Sequence, residues 1–353
     1  MIIVIFEGTE FVKKKILNIA FLAIVFGLTL WSVFRGENLN QVMSLLITAN
    51  PVYVAVSVGC VVLFIACEAV IIFYLIHTLG SKIQFSHCCL YSFIGFFYSC
   101  ITPSASGGQP MQIVTMRRDK IPVAVSTVVL AIVTIMYKTV LVLIGVAVLI
   151  WRPTRLMSYL EPVEALIYFG LFLNVICVAI LLLLVFHPRA FKVIAEKMLS
   201  IMNRIRPFKN PEKQEERIER ITSQYKGTAE YFKSHNHVII KVFFMSVIQR
   251  LLLFAVTWFT YKAFNLSGES FVIIIILQAM ISVAIDMLPL PGGMGICENM
   301  FLDIFLPIFG STLVLPGMLL SRGISYYTQL IICGIMTIVA FLVIKEQKRE
   351  KGE

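Results

Sequence analysis

Apolar residues run along this chain in blocks of twenty or more, without the strict alternation of a half-buried strand or the polar stripe of a surface helix. Six blocks, 16–34, 51–76, 123–151, 165–187, 239–264 and 323–344, are long enough as helices to cross about 30 Å of hydrocarbon at about 1.5 Å per residue. Two others, Ser86 to Ile101 and Phe271 to Leu288, are short, and each runs into a Pro/Gly cluster: TPSASGGQP at 102–110 and LPLPGGMG at 288–295. Proline removes a backbone donor and glycine favours leaving the helix, so neither stretch continues as one helix. From Ile83 to Met116 there is no Asp, Glu, Lys or Arg, which keeps the first cluster at membrane depth. Non-helical backbone there must be buried in protein or line a wet cavity, and paired breaks in two halves point to a transporter binding site.

The charges orient these elements. Between 188 and 237 lie eleven Lys and Arg against six Glu, which makes this amphipathic loop cytoplasmic. Counting from it puts both termini inside, including the charged tail 345–353. The break at 86–110 then enters from the cytoplasmic side and the 271–320 region from the outer side, an inverted arrangement suited to alternating access. In the loop, Ile218, Ile221, Tyr225 and Phe232 recur at helical spacing opposite Glu216 and Arg220. That helix either packs under the bundle, the reading preferred here, or lies on anionic lipid. The pattern predicts an all-α polytopic membrane protein over 1–353, with about six full spans, two Pro/Gly-broken re-entrant elements and an inverted pseudo-repeat.

Composition agrees. Hydrophobic residues make up 59% and charged residues 14%, with a mean hydropathy of +0.89; soluble domains hold roughly half apolar and a quarter charged residues. These values exclude a soluble globular enzyme and a disordered chain, and runs this long exclude a β-barrel. The net charge of +10 is an orientation signal rather than a nucleic-acid footprint. The N-terminal run 16–34 follows Lys13, Lys14 and Lys15 without a small-residue cleavage site, as in a first span. Eight cysteines lie mostly in apolar runs without ligand spacing, and the five histidines sit near span ends or in the polar loop, so no metal centre is expected. No H-E-x-x-H, G-x-S-x-G or P-loop occurs, and no cofactor is expected. Ser104 and Ser106 read as capping or headgroup-contacting hydroxyls rather than nucleophiles.

The chemistry therefore falls to ionisable residues inside apolar spans, where each costs a few kcal/mol and by default marks a site. They are Glu68, Lys138, Arg250 beside Gln249, and Asp286, with Glu298 and Asp303 after the second Gly cluster and Arg322 opening the last span. They either pair across helices to lock the bundle, or form a chamber in which cations and freed backbone N–H groups take a phosphate and the acids take the rest of a headgroup.

PSASGG at 103–108 followed by Arg117-Arg118, and PLPGGMGICE at 289–298 followed by SRGISYY at 321–327, resemble the lysylphosphatidylglycerol synthase transmembrane family, also called flippase-like. The resemblance spans nearly the whole chain. It implies a bundle of about eight membrane segments in a bacterial cell membrane that moves an aminoacylated phosphatidylglycerol or related lipid between leaflets. It also implies site positions at Pro103, Gly107, Gly108, Arg117, Pro289, Pro291, Gly292, Gly293, Gly295, Glu298, Arg322 and Tyr326. Gln109 stands where the family often has a charged residue. Full-length bacterial synthases of this kind carry a soluble lysyltransferase domain after the bundle; here the last span is followed only by KEQKREKGE. The expected function is translocation of an anionic or aminoacylated phospholipid. Lys138, Arg250, Arg322 and Arg117 would meet the phosphate, while Glu68, Asp286 and Glu298 would meet the rest of the headgroup or carry protons. The alternatives are phosphatidylglycerol lysyltransfer, alone or with a separate soluble synthase as partner, and ion-coupled transport of a small polar metabolite.

Overall fold

The structure is a computed structural model, and residues 39–187 and 211–350 are described. The expected first span 16–34 and the loop positions 188–210 lie outside these residues. Twelve α-helices and no strands occur among the described residues: α1 Leu39–Ile47, α2 Pro51–Thr78, α3 Phe85–Cys100, α4 Gly108–Arg118, α5 Val123–Trp151, α6 Thr154–Leu160, α7 Glu164–Phe186, α8 Pro211–Ser234, α9 Asn236–Ala263, α10 Phe271–Ile285, α11 Ile296–Arg322 and α12 Gln329–Glu350. Five stretches are long and apolar enough to cross a membrane. Four are the expected spans, carried by α2, α5, α7 and α9, and the chain is an all-α polytopic membrane protein.

Local chemistry sets the ends. Asn50 accepts a hydrogen bond from the Val52 N–H at 3.0 Å, and Pro51 opens α2, where its missing donor costs nothing. Ser270 likewise caps α10 through the Ile273 N–H. The Pro/Gly clusters end α3 and α10 after 16 and 15 residues, about 24 and 22 Å, too short to span.

Both broken elements fold back. The base of the first is closed where Tyr91 donates to Asp119 and His87 lies 3.0 Å from the same carboxylate. α3 and α4 therefore form an antiparallel hairpin whose tip is the 3-10 turn Pro103–Ala105. In the second, Arg322 Nε donates to Glu298 Oε1 at 2.9 Å. Twenty-four residues along a straight helix would separate them by about 36 Å, so α11 is folded on itself at Gly310. Its φ of 75° and ψ of 163° are open to glycine alone. The fifth long stretch, Pro291–Ala340, is thus not one helix. The arm 296–309 returns from the second break, and the crossing that ends in α12 begins at 311. The segment expected at 323–344 is therefore only the latter part of that crossing, and Arg322 lies within it rather than at its start.

The two hairpins enter from opposite ends of the bundle. One core cluster joins Leu75, Cys88, Met116, Ala124, Tyr225 and Val238 around the base of the first. Another joins Val148, Tyr261, Ile274 and Phe309 at the base of the second. α5 and α9 each contribute to both clusters from opposite ends. Two units with the same element order, a span, a hairpin and a span, run over 51–151 and 236–340. Their first spans, α2 and α9, pack antiparallel, since the Asn50 N–H donates to the Ala263 carbonyl at 2.8 Å. The second unit is therefore inverted relative to the first.

The highly charged helix α8 lies under the first hairpin's end. Tyr225, Ala229 and Phe232 are buried against the bundle, and the Tyr225 hydroxyl donates to the Leu184 carbonyl at 3.1 Å. Burial pushes that phenol up to about 12, keeping it a neutral donor. This is the packed arrangement. The side chains of Glu216 and Ile218 lie outside the described set.

Candidate functional site

The two hairpin tips meet inside the bundle, where Ser104 Oγ donates to the Leu288 carbonyl at 3.1 Å. Beside this contact is a cavity of about 440 Å³, within the range of small-molecule sites, about 300–1,000 Å³. Glu68, Lys138, Arg250, Asp286 and Arg322 all line it, drawn from five different helical segments.

Four of the ionisable residues form two pairs that hold the second tip. Lys138, buried midway along α5, pairs with Asp286 and lies 3.3 Å from Asn174 Oδ1. Asp286 follows the last residue of α10, where free carbonyls also favour a cation. Asn174 in turn donates to the Gly170 and Val283 carbonyls at 2.9 and 3.1 Å, which fixes its oxygen toward Lys138. On the other flank, Glu298 accepts from Arg322 and, at 2.7 Å, from the Gly295 N–H. Arg322 also donates to the Gly292 carbonyl and lies over the Tyr326 ring at 4.4 Å. Tyr326 donates to the Cys100 carbonyl at 2.8 Å, so this flank reaches the first hairpin as well. The π-helical turn Gly323–Thr328 begins here; such turns recur at functional sites because they re-aim side chains.

Gly292 makes this approach feasible. With φ at 58°, a Cβ would stand 2.2 Å from Tyr326 Cε2. Gly292→Ala is therefore expected to destabilise the protein by about 2 kcal/mol or more through left-handed strain and overlap. Gly59→Ala, where nothing lies within 4 Å, should leave the unfolding midpoint in detergent unchanged. Equal midpoints for the two variants would contradict the close approach.

The other two charges are held differently. Glu68 accepts from Gln112 Nε2 at 2.9 Å, lies beside Gln249, whose amide donates to the Phe64 carbonyl at 3.4 Å, and faces Arg250. Arg250 has no hydrogen bond or ion pair among the described residues, and its Nε is buried without a partner. Its guanidinium rests on Tyr137 at 4.3 Å and near Phe64 at 5.4 Å. These rings place the charge at the cavity wall without neutralising it.

The expected site residues thus divide. Glu68, Lys138, Arg250, Asp286, Gly292, Gly293, Arg322 and Tyr326 line the cavity. Gln249 and Glu298 are buried behind it, each holding a residue that does. Pro103, Gly107 and Gly108 shape the first tip, where the Gly107 N–H is bonded by Thr102 Oγ1 at 2.9 Å. Pro289, Pro291 and Gly295 shape the second. Arg117 does not join them: it is exposed in the last turn of α4, at the hairpin base and away from the cavity. Glu298 and Asp286, expected to meet a headgroup, are instead engaged by Arg322 and Lys138, because an unpaired charge at this depth is costly. Attention to formal charge missed the amides Gln112, Asn174, Gln278 and Gln329. Their signal was present, since each is a polar side chain inside or beside an apolar run.

The sequence profile of a family described as Lysylphosphatidylglycerol synthase TM region matches residues 16–333. No curated protein sequence matches the chain.

Proposed function

Because the chain belongs to the lysylphosphatidylglycerol synthase TM region family, we propose that it is a lipid translocase whose cavity takes the headgroup of an anionic or aminoacylated phospholipid. The observation that carries this reading is Arg250, a cation with no hydrogen bond or direct ion pair among the described residues, at the wall of a polar cavity between two hairpin tips. A phosphate supplies what that guanidinium lacks: a planar fork of donors matched to two oxygens. The acyl chains stay in the bilayer. Inverted units with a site between broken helices are suited to alternating exposure of that site to the two leaflets. Both hairpins then act as re-entrant elements, the first from the side of α8, which faces the cytoplasm with the basic sequence 188–210 that precedes it, as do both termini. Glu68 is the proton-carrying candidate, since Asp286 and Glu298 are ion-paired and it is held by the Gln112 amide.

The test is reconstitution of purified protein into liposomes with acyl-labelled phospholipids, followed by the rate at which label leaves the outer leaflet. Labelled lipid should cross well above the protein-free rate. A rate equal to that of empty vesicles, for every headgroup tried, overturns the reading.

A further inference from the structure

Resting on the lipid-translocase reading, we infer that the headgroup this cavity accepts is a phosphodiester to an uncharged polyol or sugar, rather than one that carries an amine. The first ground is how the acids are engaged. Asp286 is paired with Lys138, and Glu298 accepts from both Arg322 and the Gly295 N–H. Glu68 is bonded by the Gln112 amide, lies beside Gln249 and faces Arg250. An incoming ammonium would have to displace one of these donors, and at Glu68 it would also lie against the positive field of Arg250. Arg250, although Glu68 faces it, has guanidinium donors that no acceptor among the described residues takes, and they ask for an anion.

The second ground is the neutral lining. Gln329 is 7% exposed, lines the cavity, and its amide makes no hydrogen bond among the described residues. The hydroxyls of Ser106 and Ser325, also at the wall, are equally unengaged there. Gln278 uses its oxygen to accept from Thr257 at 2.9 Å, which leaves its NH₂ group to donate. These groups come from the first tip, α10, the π-helical turn and α12, so they surround the space rather than mark one wall. Amides and hydroxyls both donate and accept, and so do the hydroxyls of a polyol. An ammonium has three donors and no acceptor, and it would leave the Gln278 NH₂ group facing another donor and use only the oxygen of Gln329. A buried polar group left facing the wrong partner discriminates strongly between ligands of similar size.

The experiment uses the full chain in liposomes and four probes with the same labelled acyl chain, bearing glycerol, inositol, ethanolamine or lysyl-glycerol on the phosphate. The glycerol and inositol probes should cross about tenfold faster than the two amine-bearing ones, the effect of one or two well-made hydrogen bonds. In Gln329→Leu and, separately, Gln278→Leu, that preference should fall to less than about twofold as the neutral acceptors and donors are lost. Lysyl-glycerol or ethanolamine lipid crossing fastest overturns this inference and leaves the translocase reading standing. So does a folded Gln329→Leu and Gln278→Leu pair that keeps the full preference. No probe crossing faster than in empty vesicles overturns the translocase reading instead.

Discussion

Arg250→Ala is expected to slow lipid translocation about a hundredfold while leaving the protein folded and monodisperse. The phosphate would lose two charge-assisted hydrogen bonds of about 1.5 kcal/mol each, together near two decades in rate or affinity. Stability should fall by only about 1 kcal/mol, because Arg250 makes no direct ion pair and the Glu68 carboxylate that faces it keeps its bond from Gln112. The loss of its contact with Tyr137 is offset by removal of a desolvated charge. Arg250→Lys keeps the charge but not the fork and should retain part of the rate. Translocation at the wild-type rate in Arg250→Ala would remove the phosphate role from this residue.

Glu298→Gln is expected to act through the fold. Glu298 is 3% exposed, and its carboxylate holds both Arg322 and the start of the 296–309 arm. Removing one member of a buried pair leaves the other charge uncompensated and costs about 3 kcal/mol or more. The variant should unfold at a lower temperature in detergent, and translocation should fall with the folded fraction. Adding Arg322→Met removes the stranded charge, so the double variant should recover most of the lost stability. The glutamine oxygen can still accept from Gly295. A double variant no more stable than Glu298→Gln alone would show that the pair is not what holds the second tip. From the sequence, Glu298 reads as a headgroup contact whose loss would spare the fold; its two buried partners move the effect into stability.

Much of the architecture was legible in order along the chain. The spans at α2, α5, α7 and α9 follow from unbroken apolar runs, and the hairpin tips from Pro/Gly clusters that no helix can pass. The reversal at Gly310 was not legible, because a lone glycine in an apolar run is ordinarily tolerated within a helix. The contact between Glu298 and Arg322, 24 residues apart, and the dihedral angles of Gly310 identify it as a turn. The displacement of Arg117 from the site has the same origin: its place after the GG motif says nothing of how far a returning arm carries it from the tip.

The sequence by itself determined that this is a helical membrane protein with two broken elements and a few misplaced charges. Hydrophobic length, proline, glycine and charge all act locally, on the residues that carry them. Only the tertiary structure decided which charges satisfy one another. Lys138 meets Asp286 from 148 residues away, and once the pairs are formed Arg250 is the cation left over. That outcome depends on how two hairpins from opposite ends of the bundle bring their tips together, because at this depth every charge takes whatever partner the packing places within reach.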